Sequence, residues 1–503
     1  MKGSGEIDLL LINPGNRNKA YQSLGDDLAA IEPPVWSGLI AQFIRNHGFS
    51  VDIIDANADT LSIEETVIAI QNRKPLLTAI VAYGHNPSAS TQVMPAAGAI
   101  CSALKEDSPE FKTILLGGHV AALPERTLAE ENATFVAGGE GSYTLLDLLK
   151  VLKSNSRQYG NVRGLWYRDD GKIKSTPPAP LVTSLDEEMP GIAWDLLPMD
   201  KYRAHNWHCF ETLVRQPYAA IYTTLGCPFH CQFCCIQAPF RDGEAVSGYK
   251  PGVSSYRLWK PESVISQIDI LVNKYNVRNI KITDEIFALR PKHVIEICDL
   301  IISRNYDLNI WAYARVDTLT EVLLEKMKRA GIHWLALGIE SASARVRDDT
   351  HKGYRQDRIL QSVNLIKNID VNIVGNYIFG LPEDDSDSMQ ETLDLALEIN
   401  AEWANFYCAM AYPGSRLYEQ ALQEGWKLPD NWGAYSQYAE DTLPLPTRYL
   451  SAGDVLRFRD NAFQLYFNSA SYLEMIRKKF GQETINHIKA MSSKSIKRKY
   501  AGS

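Results

Sequence analysis

The chain alternates short, almost wholly apolar runs with longer segments whose apolar positions recur every three to four residues. Within residues 1–155 the short runs fall at 8–12, 51–55, 78–83, 113–116 and 134–136. Runs this brief and this continuously apolar predict parallel strands buried on both faces. Between them, periodic segments at 34–47, 63–73, 91–106, 123–131 and 143–152 predict amphipathic helices. Strict alternation of this kind predicts an open α/β sheet, doubly wound, which binds ligands at the carboxyl ends of its strands. The loops at those ends read Asn13-Pro-Gly, Tyr83-Gly-His, Gly117-Gly-His and Gly138-Gly-Glu-Gly. Small residues there let a ligand approach the backbone, although glycine also ends strands for local reasons.

This first region therefore reads as a flavodoxin-like, Rossmann-type domain. Residues 156–214 read as a linker layer. Within it Trp166-Tyr-Arg-Asp-Asp-Gly-Lys-Ile carries a hairpin signal with Asp-Gly at the turn, and Pro177-Pro-Ala-Pro an extended connector. From residue 219 the alternation resumes, with strands expected at 219–224, 279–283, 309–314, 334–338, 372–379 and 405–411. Helices lie between, among them 261–275 and 385–399. Six such units over 215–415 make an incomplete (β/α)6 barrel. Residues 416–503 are rich in aromatics (Trp426, Trp432, Tyr435, Tyr438, Tyr449, Phe463, Tyr466, Phe467) and predict a mainly helical segment. It either packs against the barrel or closes its entrance.

Charge and composition narrow the class. A formal net charge of −8 without a broad basic face argues against a nucleic-acid partner. The basic run Lys494-Ser-Ile-Lys-Arg-Lys-Tyr reads as a solvated terminus. The sequence opens without an apolar signal segment, and it holds no stretch of about 20 apolar residues, so no transmembrane helix is expected. Eight cysteines in 503 residues are not a disulfide framework and suggest a reducing, cytoplasmic setting. Cys101, Cys298 and Cys408 fall in apolar patterns and read as packed thiols.

Cys227, Cys231 and Cys234 are different. They stand together on a Gly/Pro-containing loop just after a predicted strand. Three thiolates there can hold three corners of a cubane iron–sulfur cluster and leave one iron open. The alternative, structural zinc, lacks its fourth ligand: no second Cys or His pair follows at the required spacing, and His230 lies between ligands on a tight loop. Cys235 adjoins the set, but its side chain should point away from its neighbour's.

This spacing, with Phe233 just before the last cysteine, resembles the radical SAM superfamily. The resemblance implies a [4Fe–4S] cluster on Cys227, Cys231 and Cys234, with S-adenosylmethionine (SAM) at the open iron. Arg315, Glu340, Ser341 and Gly380, at the ends of barrel strands, look like the superfamily's SAM-contact positions. The implied roles are a carboxylate fork for Arg315, ammonium or ribose contacts for Glu340 and Ser341, and adenine approach at Gly380. For Asp284 and Glu285 a rim ion pair is nearly as good a reading.

Glu32-Pro-Pro-Val-Trp-Ser-Gly-Leu-Ile-Ala, Gly117-Gly-His-Val-Ala-Ala-Leu-Pro-Glu and Gly138-Gly-Glu-Gly-Ser-Tyr-Thr-Leu resemble phrases of the B12-dependent radical SAM group. They imply cobalamin binding, with Gly117, Gly118, Gly139 and Gly141 as backbone contacts. One departure is that Asn13-Pro-Gly-Asn-Arg-Asn replaces the Asp-x-His-x-x-Gly whose histidine ligates cobalt. His85 and His119 could take that place, but ordinary turn histidines fit both better. The family reading implies a radical methyltransferase acting on a non-nucleophilic carbon of a small molecule, supplied with electrons by a flavodoxin- or ferredoxin-type donor. Cyclisation, rearrangement or oxidation within the same fold group is the alternative, and a non-catalytic metal module a third.

Overall fold

The computed structural model describes residues 7–15, 22 and 24–500. Its first sheet comprises β1 (Leu9–Asn13), β2 (Val51–Asp55), β3 (Leu77–Val81), β4 (Thr113–Leu116), β5 (Phe135–Ala137), β6 (Leu165–Asp169) and β7 (Lys172–Ser175). Their spatial order is β2-β1-β3-β4-β5-β6-β7, and β1 to β5 are parallel. The chain enters mid-sheet, steps out to β2 and then reverses to β3, the doubly wound pattern the alternation predicts. The unbroken apolar run of β1 has a direct cause. Leu9 and Leu11 enter one core with Phe43 and Ile44, while Leu10 and Ile12 enter another with Ile100 and Leu104. A period of two between two helical layers leaves no polar position.

The hairpin expected inside the linker layer joins this sheet. β6 pairs antiparallel with β5, and β7 with β6. Its turn residues Asp170 and Gly171 sit at φ +48° and +76°, which suits the twist of a two-residue hairpin loop.

A second sheet holds β8 (Tyr218–Ile221), β11 (Asn279–Ile282), β12 (Asn309–Ala314), β13 (Ile332–Glu340), β14 (Asn372–Phe379) and β15 (Trp403–Cys408), with β9 (Thr224–Gly226) and β10 (Tyr256–Leu258) forming an antiparallel ribbon beside it. The six strands are parallel, ordered β15-β14-β13-β12-β11-β8, and the sheet stays open. The single strand expected at 219–224 breaks in two because Asp284 captures the break. Its carboxylate accepts from the backbone N–H of Thr223 (2.6 Å) and Thr224 (3.1 Å), and from the Thr223 hydroxyl. Three helices of this half, Pro261–Tyr275, Pro291–Arg304 and Ser386–Ile399, each end on an asparagine with positive φ: Asn276, Asn305 and Asn400. Asparagine tolerates the left-handed cap that turns a helix back toward its next strand.

The last segment is helical over Arg416–Gln423, Ala452–Phe467 and Ala470–Ser492, the third bent at Gly481 (φ +86°). Several of its aromatics are core. The Tyr466 hydroxyl donates to Ala401 O at 2.6 Å, that of Tyr472 to Glu402 O at 3.1 Å, and Phe467 packs on Trp403. The basic run 494–500 is not a solvated terminus, because the Arg498 side chain is only 5% exposed. Among the described residues no helix is long and apolar enough to cross a membrane.

Candidate functional site

The cysteine loop is held at both ends. Gly226, at φ +90°, turns the chain out of β9 where any Cβ would lie 2.2 Å from Ser255 O. Beyond the turn the Gln237 side-chain amide donates to Cys227 O. Between ligands, Gln232 N–H donates to Thr350 O (3.3 Å) and Leu417 N–H to Gln232 O (2.9 Å). Phe233 anchors the loop by packing against Leu417 and Tyr418 on one side and Leu381 and Ala409 on the other. Cys227 is buried, Cys231 and Cys234 are half-buried, and Pro228 and His230 reach the surface. Burial pushes the Cys227 and Cys235 thiols up to about 12 and raises Cys234 well above the usual thiol range. Ligation by iron would release these protons. Among the described residues no three His, Cys, Asp or Glu converge on a single-ion site; a cubane, whose cysteines bind separate irons, asks for no such convergence. Three soft donors on one fixed loop suit it.

The barrel rim beside this loop is organised by two ion pairs. Arg315 donates through Nε and Nη2 to Asp317, both at 2.9 Å, and from Nη2 to Lys352 O at 3.0 Å. Its guanidinium stacks 4.1 Å above the Phe229 ring of the cysteine loop, and its buried Nη1 has no partner. Glu340 accepts from Lys352 Nζ at 2.6 Å, and that ammonium lies 5.6 Å over Phe233. Burial works against the Lys352 ammonium, but Glu340, Tyr354 and Cys231 together more than offset it and hold its pKa above the usual range. Glu340 itself adopts φ +63° at a register shift between β13 and β14, a strained conformation of the kind found at functional sites. Gly338 makes room for this pair, since a Cβ there would lie 2.6 Å from Glu340 Oε1.

Two of the expected contact residues have close partners within the chain. The buried Ser341 hydroxyl shares a hydrogen bond with Thr392 at 3.2 Å and accepts from Ser343 N–H. The space beside Gly380 (φ +79°) is taken by Val455, 2.4 Å from where a Cβ would be. Asp284 is the structural carboxylate described above. Glu285 is the group the sequence left undecided: burial raises it to about 7, against the pull of Lys281. A cation brought beside it would return it to the carboxylate.

In the first sheet, the loops after β1 and β3 open on a chamber of about 520 Å³. Asn13, Pro14 and His85 line it from that side, and Lys281, Trp311, Tyr313 and Trp403 from the barrel interior. This is the switch point, where doubly wound sheets bind ligands. A second, small cavity of about 30 Å³ lies between Gly118 and the cysteine loop, lined there by Gly226, Cys235 and Glu285. Trp36, Tyr83, Gly84 and Asn86 line both. Gly117 (φ +151°) lets β4 pass Ala82 O, 2.2 Å from an added Cβ, and Gly141 (φ +94°) faces Leu116. Gly139 (φ +104°), like these two, does not border the chamber.

Between those glycines stands Glu140. It receives Arg257 Nη1 at 3.0 and 3.1 Å, with both side chains nearly fully buried, and so ties this loop to β10 beside the cysteine strand. A second buried pair, Glu32–Lys281 at 2.8 Å, joins the two halves at the chamber. His119 is a packing residue: it bonds Thr91 and meets Trp432 edge-on, and burial lowers its pKa to about 3. His85 faces the chamber, lowered to about 4 by burial. Of the loop after β1, Asn16, Arg17 and Asn18 lie outside the described residues.

A B12 binding domain model matches residues 22–149 and a radical SAM superfamily model residues 221–396. The chain is 30% identical over 431 residues to an uncharacterized methyltransferase of Pyrococcus horikoshii, with 86% of each chain covered. It is 25% identical over 422 residues to an anaerobic magnesium-protoporphyrin IX monomethyl ester cyclase of Rubrivivax gelatinosus, covering 82% of this chain and 69% of that one. Among solved structures, the radical SAM methyltransferase TsrM from Kitasatospora setae, with cobalamin and a [4Fe–4S] cluster bound, aligns with a TM-score of 0.66 at 14% identity, covering 97% of this chain and 100% of TsrM. Fold and site together define a radical SAM enzyme. The chain belongs to the radical SAM enzymes that carry a B12-binding domain, and its cofactors are a [4Fe–4S] cluster, SAM and cobalamin.

Proposed function

We propose that this enzyme is a cobalamin-dependent radical SAM methyltransferase acting on a non-nucleophilic carbon of a small molecule. One observation carries the reading: the loop after β3 borders both the switch-point chamber and the cavity beside the cysteine loop. When bound, SAM at a reduced cluster supplies a carbon radical and cobalamin a transferable methyl group. The chain's own residues hold, orient and shield. Cys227, Cys231 and Cys234 are the cluster ligands, and Phe233 fixes their loop. Arg315, with one guanidinium nitrogen unpaired, presents a donor for the SAM carboxylate. Glu340 and Glu285 are the acidic groups on hand for its ammonium. The aromatic side chains that line the chamber, Trp36, Trp311 and Trp403 among them, limit the water around a reactive carbon centre.

The same reading divides the chain into a cobalamin domain (1–155), a linker layer (156–214), the radical SAM barrel (215–415) and a helical cap (416–503). It also calls for a flavodoxin- or ferredoxin-type donor in a cytoplasmic setting. Cyclisation is the second reading, favoured by the 25% identity to a cyclase. The product ratio separates them. With substrate, SAM and reductant under anaerobic conditions, a methyltransferase forms S-adenosylhomocysteine and 5′-deoxyadenosine in roughly equal amounts, one of each per turnover. 5′-Deoxyadenosine without S-adenosylhomocysteine would reject methylation and promote the cyclase.

A further inference from the structure

The wall of the chamber combines strand and helix residues with several loops, and one of its sides is formed by the chain's last described stretch. There Lys494, Ser495 and Ile496 cross it after the end of helix Ala470–Ser492. The run 494–500 has no regular secondary structure, and its exposure alternates strictly: Lys494, Ile496, Arg498 and Tyr500 are half-buried, while Ser495, Lys497 and Lys499 are exposed. It is fastened mainly through polar groups. Arg498 donates Nε and Nη2 to Asp460 (2.9 and 3.0 Å) and Nη1 to the carbonyls of Gln437 and Ala439 (2.8 and 3.3 Å). Lys499 N–H donates to Glu440 O at 2.7 Å. From the opposite edge the Gln22 side chain pairs with both backbone groups of Lys497 at 3.2 Å, and also donates to Tyr438 O. A segment with little buried apolar surface, fastened by a few hydrogen bonds, opens at far lower cost than the sheets around it.

We infer that residues 494–500 are a door on the chamber, latched by Arg498 on Asp460, through which cobalamin enters and leaves. The inference rests on the reading of the switch-point chamber as the cobalamin site. A door differs from a wall in its kinetics. Loosening a door speeds entry and exit together and leaves affinity nearly unchanged, whereas loosening a wall contact speeds exit alone.

The test loads the full-length protein with radiolabelled hydroxocobalamin and chases it with unlabelled compound, following retained label, with association measured in parallel. Arg498→Ala and a deletion of residues 494–503 should each raise both rates about tenfold or more, since charge-assisted bonds are lost. Gln22→Ala, which removes no charge, should act in the same direction to a smaller extent, so that the outcome does not hang on one variant's folding. Faster exit with weakened affinity would make the strap a wall and overturn the door. Unchanged exchange in all three variants would overturn it as well. Failure of the wild-type protein to retain label would overturn the cobalamin reading first, and the door with it.

Discussion

The two sheets of this enzyme solve the same problem in opposite ways. The first reverses direction between β1 and β3, and the reversal itself opens a crevice at the carboxyl ends. The second adds each strand beside the last, from β8 to β15, so its rim residues (Arg315, Glu340, Gly380) come from successive strand ends of one open arc. One sheet makes a chamber by topology and lines it with the loops of two strands. The other makes a rim and needs ion pairs, Arg315–Asp317 and Glu340–Lys352, to organise it. What joins them is neither sheet. Two buried pairs, Glu140–Arg257 and Glu32–Lys281, and the edge-on contact of Trp36 with Tyr222 bring chamber and rim to a common boundary.

The sharpest break of this comparison lies in the cysteine loop, which only the second half carries. Replacing Cys227, Cys231 or Cys234 by alanine should abolish iron loading and SAM cleavage, while Cys235→Ala retains both; equal loss from all four, by iron assay and product analysis, would overturn the ligand set. Next in size is the joint. Glu140→Ala leaves Arg257 buried and unpaired and should cost about 3–5 kcal/mol in denaturant unfolding. Glu130→Ala, which breaks the exposed Arg126 pair, should cost under about 0.5 kcal/mol. Similar losses from both would mean that the joint does not bind the halves.

A third prediction tests a likeness between the sheets. Asp55 at the end of β2 and Asp284 just past β11 are each fully buried among hydrogen-bond donors, and burial raises each to about 6. Because the folded state then holds these protons more tightly than the unfolded chain, stability should fall as pH rises from about 4 to 6. Asp55→Asn and Asp284→Asn should each flatten that slope, by on the order of 2–3 kcal/mol across the window. An unchanged pH profile would show that the donors keep both ionised. The smallest effect concerns Arg315. Arg315→Lys keeps the charge but loses the planar fork, and should weaken SAM binding about tenfold with iron content intact. Unchanged affinity by equilibrium dialysis would return Arg315 to a purely structural pair with Asp317.

Both sheets were legible because their signal is local. The run Leu9 to Ile12 reports a strand covered on two faces, and six strand–helix units report an open barrel. The cysteine spacing is local too, and it carried the cofactor reading. The glycine motifs were read for their glycines, and the buried pairing of Glu140 with Arg257 between them went unread because its partner lies far along the chain. Ser341 and Gly380 matched a pattern by position, and the neighbours each one has, Thr392 and Val455, are brought there by packing.

What the sequence by itself determined, then, is whatever repeats over a few residues: the periodicity of strands and helices, the asparagine caps, the three thiols on one loop. Tertiary structure decided what depends on partners far along the chain. Glu140 meets Arg257 across 117 residues and Glu32 meets Lys281 across 249, and a basic run that reads as solvated is folded inward because Asp460 and two carbonyls wait for Arg498. A charge's surroundings are set by what packs against it, and no local pattern encodes that.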